Sequence, residues 1–280
     1  MASSDDRLTP ASSPDALALY FAGLVVAAGR IVMDVYAAPD RGVRVKDDAS
    51  PVSDADERAE AFLIAELSRR LPGVPVVAEE KAAKGAAPEF GDVVLLVDPL
   101  DGTRDFVARG VEFTVNIGLI RAGVPCAGAI YAPALSRLWF GGARAFAVDV
   151  APGAPLPPQE RWTPLRGRPR PESGELVALA SRSHLDPQTR AYIERAGVVK
   201  TVQMSSSLKF CKLAEGEADL YPRFGPTMEW DIAAGDAILR AAGGAMLDAA
   251  GAPLLYAQPA RFYRSPSFIA FADAKNARVS

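Results

Sequence analysis

The feature that most constrains this chain is an apolar run that passes directly into a carboxylate-rich one. Val93-Val94-Leu95-Leu96-Val97 follows Asp92, and Asp98-Pro99-Leu100-Asp101-Gly102-Thr103 comes next without a spacer. A short, unbroken apolar run predicts a strand over 92–97 that is buried on both faces. Pro99 lacks a backbone donor and Gly102 tolerates a tight turn, so the strand is expected to stop where the second run begins. Two acids three apart can converge on one point if the chain turns there. Leu100 offers a carbonyl, which is a natural ligand for a hard cation. Thr103 can orient a water or cap the next segment. The competing reading is an ordinary strand exit with solvated acids.

Ser13-Pro14-Asp15 opens a helix, with a serine cap, proline in the first turn and an acid at the positive end of the dipole. Leu17, Phe21, Leu24, Val25, Ala28, Ile31, Val32 and Val35 mark its apolar face, and Ala37-Ala38-Pro39-Asp40 ends it. A second helix follows Ser53 and stops at Leu71-Pro72-Gly73. Val74 to Ala78 reads as a strand ending at Glu79-Glu80. Residues 112–120 and 124–131 read as a hairpin, and 137–148 as a further strand pair. Beyond 173, strands near 176–180, 198–203, 218–221 and 267–272 alternate with helices near 187–196, 207–215 and 230–242. The pattern predicts a disordered lead over 1–13, an α+β half over 14–150, a linker or surface excursion over 151–173, and an α/β half over 174–280. The whole is expected to form a layered sandwich of helices and sheets.

At 280 residues, with 49% hydrophobic and 23% charged, the composition is that of an ordinary soluble globular protein. A formal net charge of −3 shows no basic excess, so nucleic acid is not an expected partner. Cys126, Cys211 and the single histidine, His184, make no zinc motif and no disulfide framework. Any metal chemistry must therefore use carboxylates and carbonyls, which suit Mg²⁺. The N-terminus is acidic and polar, unlike a secretory signal. The apolar stretch Ala16 to Gly29 is too short to span a bilayer, and Arg30 and Asp34 follow it. The expected location is the cytoplasm.

Two further acids matter if they approach the first pair. Glu79 ends the strand before, and strand ends on one edge of a sheet bring their exit loops together. Asp231 lies in the first turn of the helix opened by Trp230-Asp231-Ile232-Ala233-Ala234-Gly235, where it can cap or, alternatively, serve as another metal carboxylate. Each pair of such charges about 4 Å apart repels by roughly 4 kcal/mol at an effective dielectric near 20. Divalent cations would relieve that strain.

Taken together and in order, these segments resemble the inositol monophosphatase and fructose-1,6-bisphosphatase superfamily of lithium-sensitive, metal-dependent phosphatases. Ser50-Pro51-Val52-Ser53-Asp54-Ala55-Asp56 is similar to its Val-Thr-x-x-Asp segment, with Ser53 where threonine is common. Ala78-Glu79-Glu80, Asp98 to Thr103 and Trp230 to Gly235 resemble its other motifs. The resemblance implies an αβαβα fold and two or three Mg²⁺ ions held by Glu79, Asp98, Asp101, Asp231 and the Leu100 carbonyl. It implies that Thr103, Asp56 and Glu79 act on the attacking water. Gly102 and Thr103 would hold the scissile phosphate, with Asp231 also beside the substrate. Ser181 to His184 and Ser205 to Arg223 resemble the branch of 3′(2′),5′-bisphosphate nucleotidases of sulfate assimilation. There His184, Ser206, Lys209 and Arg223 would contact the nucleotide, and two cations suit a second phosphate.

The expected activity is hydrolysis of 3′-phosphoadenosine 5′-phosphate to AMP and phosphate. The alternatives are an inositol monophosphatase or sugar-bisphosphate phosphatase, and a non-catalytic protein that senses nucleotide or metal. No transmembrane segment is expected. The resemblance allows a peripheral position at the inner membrane face, and a monomer or a homodimer.

Overall fold

The computed structural model describes residues 8–46, 51–85, 88–89, 91–172 and 175–279. In chain order the elements are α1 (Pro14–Ala37), β1 (Arg44–Val45), β2 (Pro51–Val52), α2 (Asp54–Arg70), β3 (Val76–Ala78), α3 (Glu79–Ala83), β4 (Val93–Asp101) and α4 (Thr103–Val107). Then come β5 (Thr114–Arg121), β6 (Val124–Ala132), β7 (Arg137–Gly141), β8 (Ala145–Asp149), β9 (Thr163–Pro164), β10 (Leu176–Ser181) and α5 (Pro187–Arg195). The chain closes with β11 (Val198–Met204), α6 (Leu208–Ala214), β12 (Leu220–Arg223), α7 (Glu229–Ala241), β13 (Ala245–Asp248) and β14 (Phe268–Phe271).

Two sheets carry the architecture. The larger runs β3-β4-β5-β6-β7-β8-β9, with β3 and β4 parallel and the rest antiparallel. The smaller runs β11-β10-β12-β14-β13, with β10 parallel to both its neighbours. Helices α1 and α2 cover one face of the larger sheet. Helices α6 and α7 lie between the sheets, and α5 packs against β11 and β12 on the outside. The order helix, sheet, helix, sheet, helix is the expected αβαβα sandwich. Strand alternation explains how one strand serves two layers. On β4, Leu95 and Val97 join the core under α1 and α2, while Val94 and Leu96 join the core that includes Phe210, Trp230 and Phe268. The two halves read from the sequence thus share that middle core.

A row of glycines sets the spacing of the middle layer. Gly118, Gly128 and Gly141 are paired neighbours across β5, β6 and β7. A Cβ on Gly128 would stand 2.7 Å from the Ala234 carbonyl oxygen, and one on Gly118 would stand 2.9 Å from the Ala234 nitrogen. On Gly141 it would come within 3.1 Å of the Ile238 Cα. Helix α7 therefore lies on the bare backbone of three strands. Its own small residues, Ala233 and Ala234, face that row, and a Cβ on Gly235 would strike the Phe210 ring at 2.4 Å.

Several sequence-based boundaries move. The strand expected to stop at Val97 continues to Asp101. The turn falls at Gly102, whose φ of 91° is in the left-handed region that glycine tolerates. Glu79 and Glu80 open a short helix rather than sitting in a loop. The small hairpin of β1 and β2 had no pattern to announce it. Residues 1–7 of the expected lead lie outside the described residues. Residues 8–13 carry contacts, with the Arg121 guanidinium donating to the carbonyls of Pro10 and Ser12. Most of the 151–173 stretch runs over the surface, but β9 joins the edge of the larger sheet, and Trp162 packs edge-on to Phe140 at 5.0 Å.

Helix α1 ends at Ala37, where the sequence predicts its stop. Because it continues through Arg30 and Asp34, it is by length and composition long enough to cross a membrane. Leu17, Phe21, Val25 and Val32 are nonetheless fully buried against the larger sheet, as in the core helix of a globular domain.

Replacing Gly128 with alanine forces α7 off the sheet, because the obstructing atoms are backbone. Overpacking of this kind costs about 1–3 kcal/mol. Gly23→Ala on the exposed side of α1 meets nothing within 4 Å and is expected to stabilise by about 0.5–1 kcal/mol. Urea unfolding of both variants measures the contrast, and equal midpoints would contradict it.

Candidate active site

The site begins with an irregularity in β4. In register with β5, Asp98 faces Asn116 and Asp101 faces Thr114, so three steps on one strand oppose two on the other. Residues three apart on a regular strand point to opposite faces. The extra residue of this bulge lets Asp98 and Asp101 line the same cavity. The convergence expected of a turn is thus achieved inside the sheet.

The other acids arrive from helix starts. Asp56 is the third residue of α2. Its Oδ2 accepts from the Ser53 amide and hydroxyl, each at 2.7 Å, and its Oδ1 accepts from Thr103 Oγ1 at 3.2 Å. The same threonine hydroxyl lies 3.1 Å from the Leu100 carbonyl oxygen. Asp231 holds the equivalent place in α7, with Oδ2 accepting from the Met228 amide at 2.9 Å and from Thr227 Oγ1 at 2.5 Å. Capping and site-lining are therefore one arrangement at both positions. Glu79 sits where α3 leaves the parallel pair β3 and β4.

These residues line a cavity of about 610 Å³ between the two sheets. Glu79, Asp98, Leu100, Asp101, Gly102, Thr103, His184, Ser206, Lys209, Arg223 and Asp231 all border it. Asp56 lies behind Thr103. Every site residue expected from the sequence is thus in or against one cavity. Ser50 of the Ser50–Asp56 segment lies outside the described residues.

The acids strain one another. Burial, then the charges of Glu79, Asp101 and Asp231, hold the Asp98 carboxyl well above the usual carboxylate range. Burial and Asp231 push Asp101 up to about 7, with Lys209 working against them. Burial raises Glu79 to about 8 even though Lys46 opposes it. Burial also raises Asp56 to about 6, against its bonds from Ser53. On the opposite wall, burial pulls the Lys209 ammonium down to about 8, with Asp101 opposing the shift. Burial and then Arg223, Arg104 and Lys209 lower His184, whose Nε2 is 3.3 Å from Arg104 Nη1. The cavity therefore brings a cluster of acids and a smaller set of cations together.

Sequence reasoning missed three groups here. Lys46 Nζ donates to Glu79 Oε1 at 2.8 Å and to Glu80 Oε1 at 2.6 Å, an internal cation on the acidic wall. A lone lysine before Asp47 and Asp48 has no local signal. Ser207 Oγ bonds both Asn116 Oδ1 and Thr114 Oγ1 at 2.8 Å, and the buried Asn116 Nδ2 has no partner among the described residues. Arg182 pairs with Asp105 and Glu112 at the rim. Among the described residues no three acidic, histidine or cysteine side chains already form a ligand group. The donor chemistry still fits a hard divalent cation, because the candidate ligands are carboxylate and carbonyl oxygens and the carboxyls are destabilised by one another.

Comparison with known proteins agrees with this geometry. The sequence matches the inositol monophosphatase family over residues 16–277. The chain belongs to that family. Within it, the chain is 39% identical over 214 residues to the 3′(2′),5′-bisphosphate nucleotidase CysQ of Salmonella typhimurium, covering 75% of this chain and 82% of that protein. It is 38% identical to the CysQ of Escherichia coli K12, over 76% of this chain and 83% of that one. Among solved structures it resembles CysQ from Bacteroides thetaiotaomicron, a bacterial member of the inositol monophosphatase family, with a TM-score of 0.77 and 34% identity over 94% of this chain and 98% of that one. The inositol monophosphatase from Anabaena shares the fold at 22% identity, with a TM-score of 0.70 over 93% of this chain and 92% of that one.

The raised carboxyls make metal binding and stability depend on pH. A carboxyl lifted above its unfolded value of about 4 stabilises the fold while protonated, and that contribution is lost as pH rises through the folded value. The window here runs from about 4 to the values of about 7 for Asp101 and about 8 for Glu79. The metal-free protein is expected to lose melting temperature from pH 5 to pH 8. The gain on adding a divalent cation is expected to grow over the same range, because cation and proton compete for the same oxygens. A gain independent of pH would refute the assignment of the acidic wall as a cation site.

Proposed function

We propose that the chain is a 3′(2′),5′-bisphosphate nucleotidase that uses Mg²⁺ to hydrolyse 3′-phosphoadenosine 5′-phosphate to AMP and phosphate. The observation that carries this reading is the pairing of a carboxylate wall with two cations, the buried Lys209 and the half-buried Arg223, in one cavity. A substrate with one phosphate needs only the first. A substrate with two needs an anion-binding end as well, and guanidinium and ammonium groups supply it. The curated CysQ relatives at 36–39% identity support the same choice, whereas the inositol monophosphatase structure at 22% identity speaks for the fold alone.

Glu79, Asp98, Asp101, Asp231 and the Leu100 carbonyl would hold two or three ions, with Lys46 giving up Glu79 as they bind. Bound Mg²⁺ would polarise the phosphoryl oxygens and acidify the attacking water. The protein's own groups do the rest. Asp56 accepts the Thr103 proton, which leaves that hydroxyl's lone pairs to orient the water. Glu79, deprotonated once cations occupy the acidic wall, would take the proton from the attacking water. The Gly102 and Thr103 amides would hold the 3′-phosphate, with Asp231 beside it. The water oxygen bonds to phosphorus, the bond to the 3′ oxygen breaks, and that oxygen receives the proton. Ser206, Lys209 and Arg223 would hold the 5′-phosphate. His184, kept neutral, would lie against the nucleoside.

A small-molecule nucleotide substrate fits a cavity of this size. We place the enzyme in the cytoplasm, consistent with two free thiols, Cys126 and Cys211. The described residues give the peripheral membrane position no support.

Turnover of adenosine 3′,5′-bisphosphate and inositol 1-phosphate should be measured side by side with Mg²⁺. Faster hydrolysis of the inositol ester would overturn the nucleotidase reading. Lys209→Ala should raise KM for the nucleotide by about tenfold or more, the order expected for a lost charge-assisted contact. Asp98→Asn should abolish turnover without unfolding the protein.

A further inference from the structure

Four residues at the rim of the cavity, Arg182, Asp105, Glu112 and Ser205, form a clasp between the segment after Thr103 and the smaller sheet. Arg182, at the exit of β10, donates from Nη2 to Glu112 Oε1 at 2.7 Å and from Nη1 to Asp105 Oδ1 at 3.3 Å. Asp105 lies two residues after Thr103, in α4, and its Oδ2 accepts from the Glu112 amide at 2.7 Å. Glu112 Oε2 accepts from the Ser205 amide at 2.7 Å, just past β11. The residues after Thr103 are thus tied to the exits of two strands in the smaller sheet.

The clasp reaches Lys209 through two carbonyls. Lys209 Nζ donates to Ser206 O at 2.5 Å and to Met204 O at 3.3 Å. These carbonyls flank Ser205, which Glu112 holds. Met204 O also accepts from the Arg182 amide at 3.2 Å, using its second lone pair. Ser206 has a φ of 56°, a left-handed conformation that a serine keeps only when its surroundings impose it. Gly110 shows the same crowding, since a Cβ there would lie 2.3 Å from Asp105 Oδ2.

We infer that Arg182, acting through Glu112, is a positioning residue that sets selectivity for the second phosphate of the substrate. Arg182 is about half exposed, at 45%, and exposed ion pairs contribute little to stability. Its guanidinium fork meets two carboxylates at once, a geometry that lysine cannot reproduce. The clasp holds Lys209 in register with the carboxylate wall, so that a molecule with two phosphates meets both together. A molecule with one phosphate has no need of that register.

This inference rests on the nucleotidase reading, and the experiment separates the two. Steady-state KM and kcat are measured with Mg²⁺ for adenosine 3′,5′-bisphosphate and for adenosine 3′-monophosphate, in wild type, Arg182→Met, Arg182→Lys and Glu112→Gln. For Arg182→Met, KM for the bisphosphate should rise about tenfold while KM for the monophosphate changes less than about twofold. Arg182→Lys should recover part of the loss. Glu112→Gln should reproduce it, and a protein carrying Arg182→Met together with Glu112→Gln should lose nothing further. An equal rise for both substrates, an unchanged KM, or a loss confined to kcat would overturn the clasp. A wild type with no preference for the bisphosphate would overturn the nucleotidase reading and the clasp with it.

Discussion

The contact on which the rest of the structure depends is the seat of α7 on Gly118, Gly128 and Gly141. A helix ordinarily packs on a sheet through side chains. Here three neighbouring strands offer none, and α7 comes down onto backbone. That approach draws the smaller sheet toward the larger one, because α7 packs on strands of both. It also carries Asp231 close enough to Glu79, Asp98 and Asp101 to raise the pKa of each. A side chain anywhere in the glycine row would move a carboxylate as well as a helix.

The cavity that results brings both signs of charge together. Acids enter from the bulge of β4 and from the starts of α2, α3 and α7. Cations enter from α6 and β12 on the smaller sheet. Buried like charges are costly unless they are compensated. Without a cation the carboxyls are held up toward protonation, and Lys46 covers Glu79. The protein has thus placed at one point a demand for positive charge that its own side chains meet only in part. That unmet demand is what a divalent ion would fill.

Much of this was legible along the chain because the signals are local. The cap at Ser13, the apolar stripe of α1, the stop at Leu71-Pro72-Gly73 and the alternation beyond 173 each depend on neighbours within a turn or two. The Trp230 to Gly235 motif separates cleanly in three dimensions: Ala233, Ala234 and Gly235 are small for packing, and Asp231 is there for the site. What was not legible lay across sequence distance. Lys46 meets Glu79 over 33 residues, and Arg182 meets Glu112 over 70. No periodicity encodes such pairs. The end of β4 was misjudged for a related reason. Pro99 removes one donor, but pairing with β5 at Asp98 and Asp101 carries the strand past it, and only the partner strand reveals that.

The sequence by itself determined which residues have the chemistry of the site. Its carboxylates, two isolated cysteines and single histidine left a hard cation as the metal reading, and the ordered motifs resembled a family of phosphatases. The tertiary structure decided where those groups meet. A bulge turns Asp98 and Asp101 to one face, a glycine row brings Asp231 to them, and a clasp at the rim holds Lys209 opposite. Each is a contact between segments far apart in the chain. Their placement follows from steric fit and buried charge, which exist only once the layers have closed.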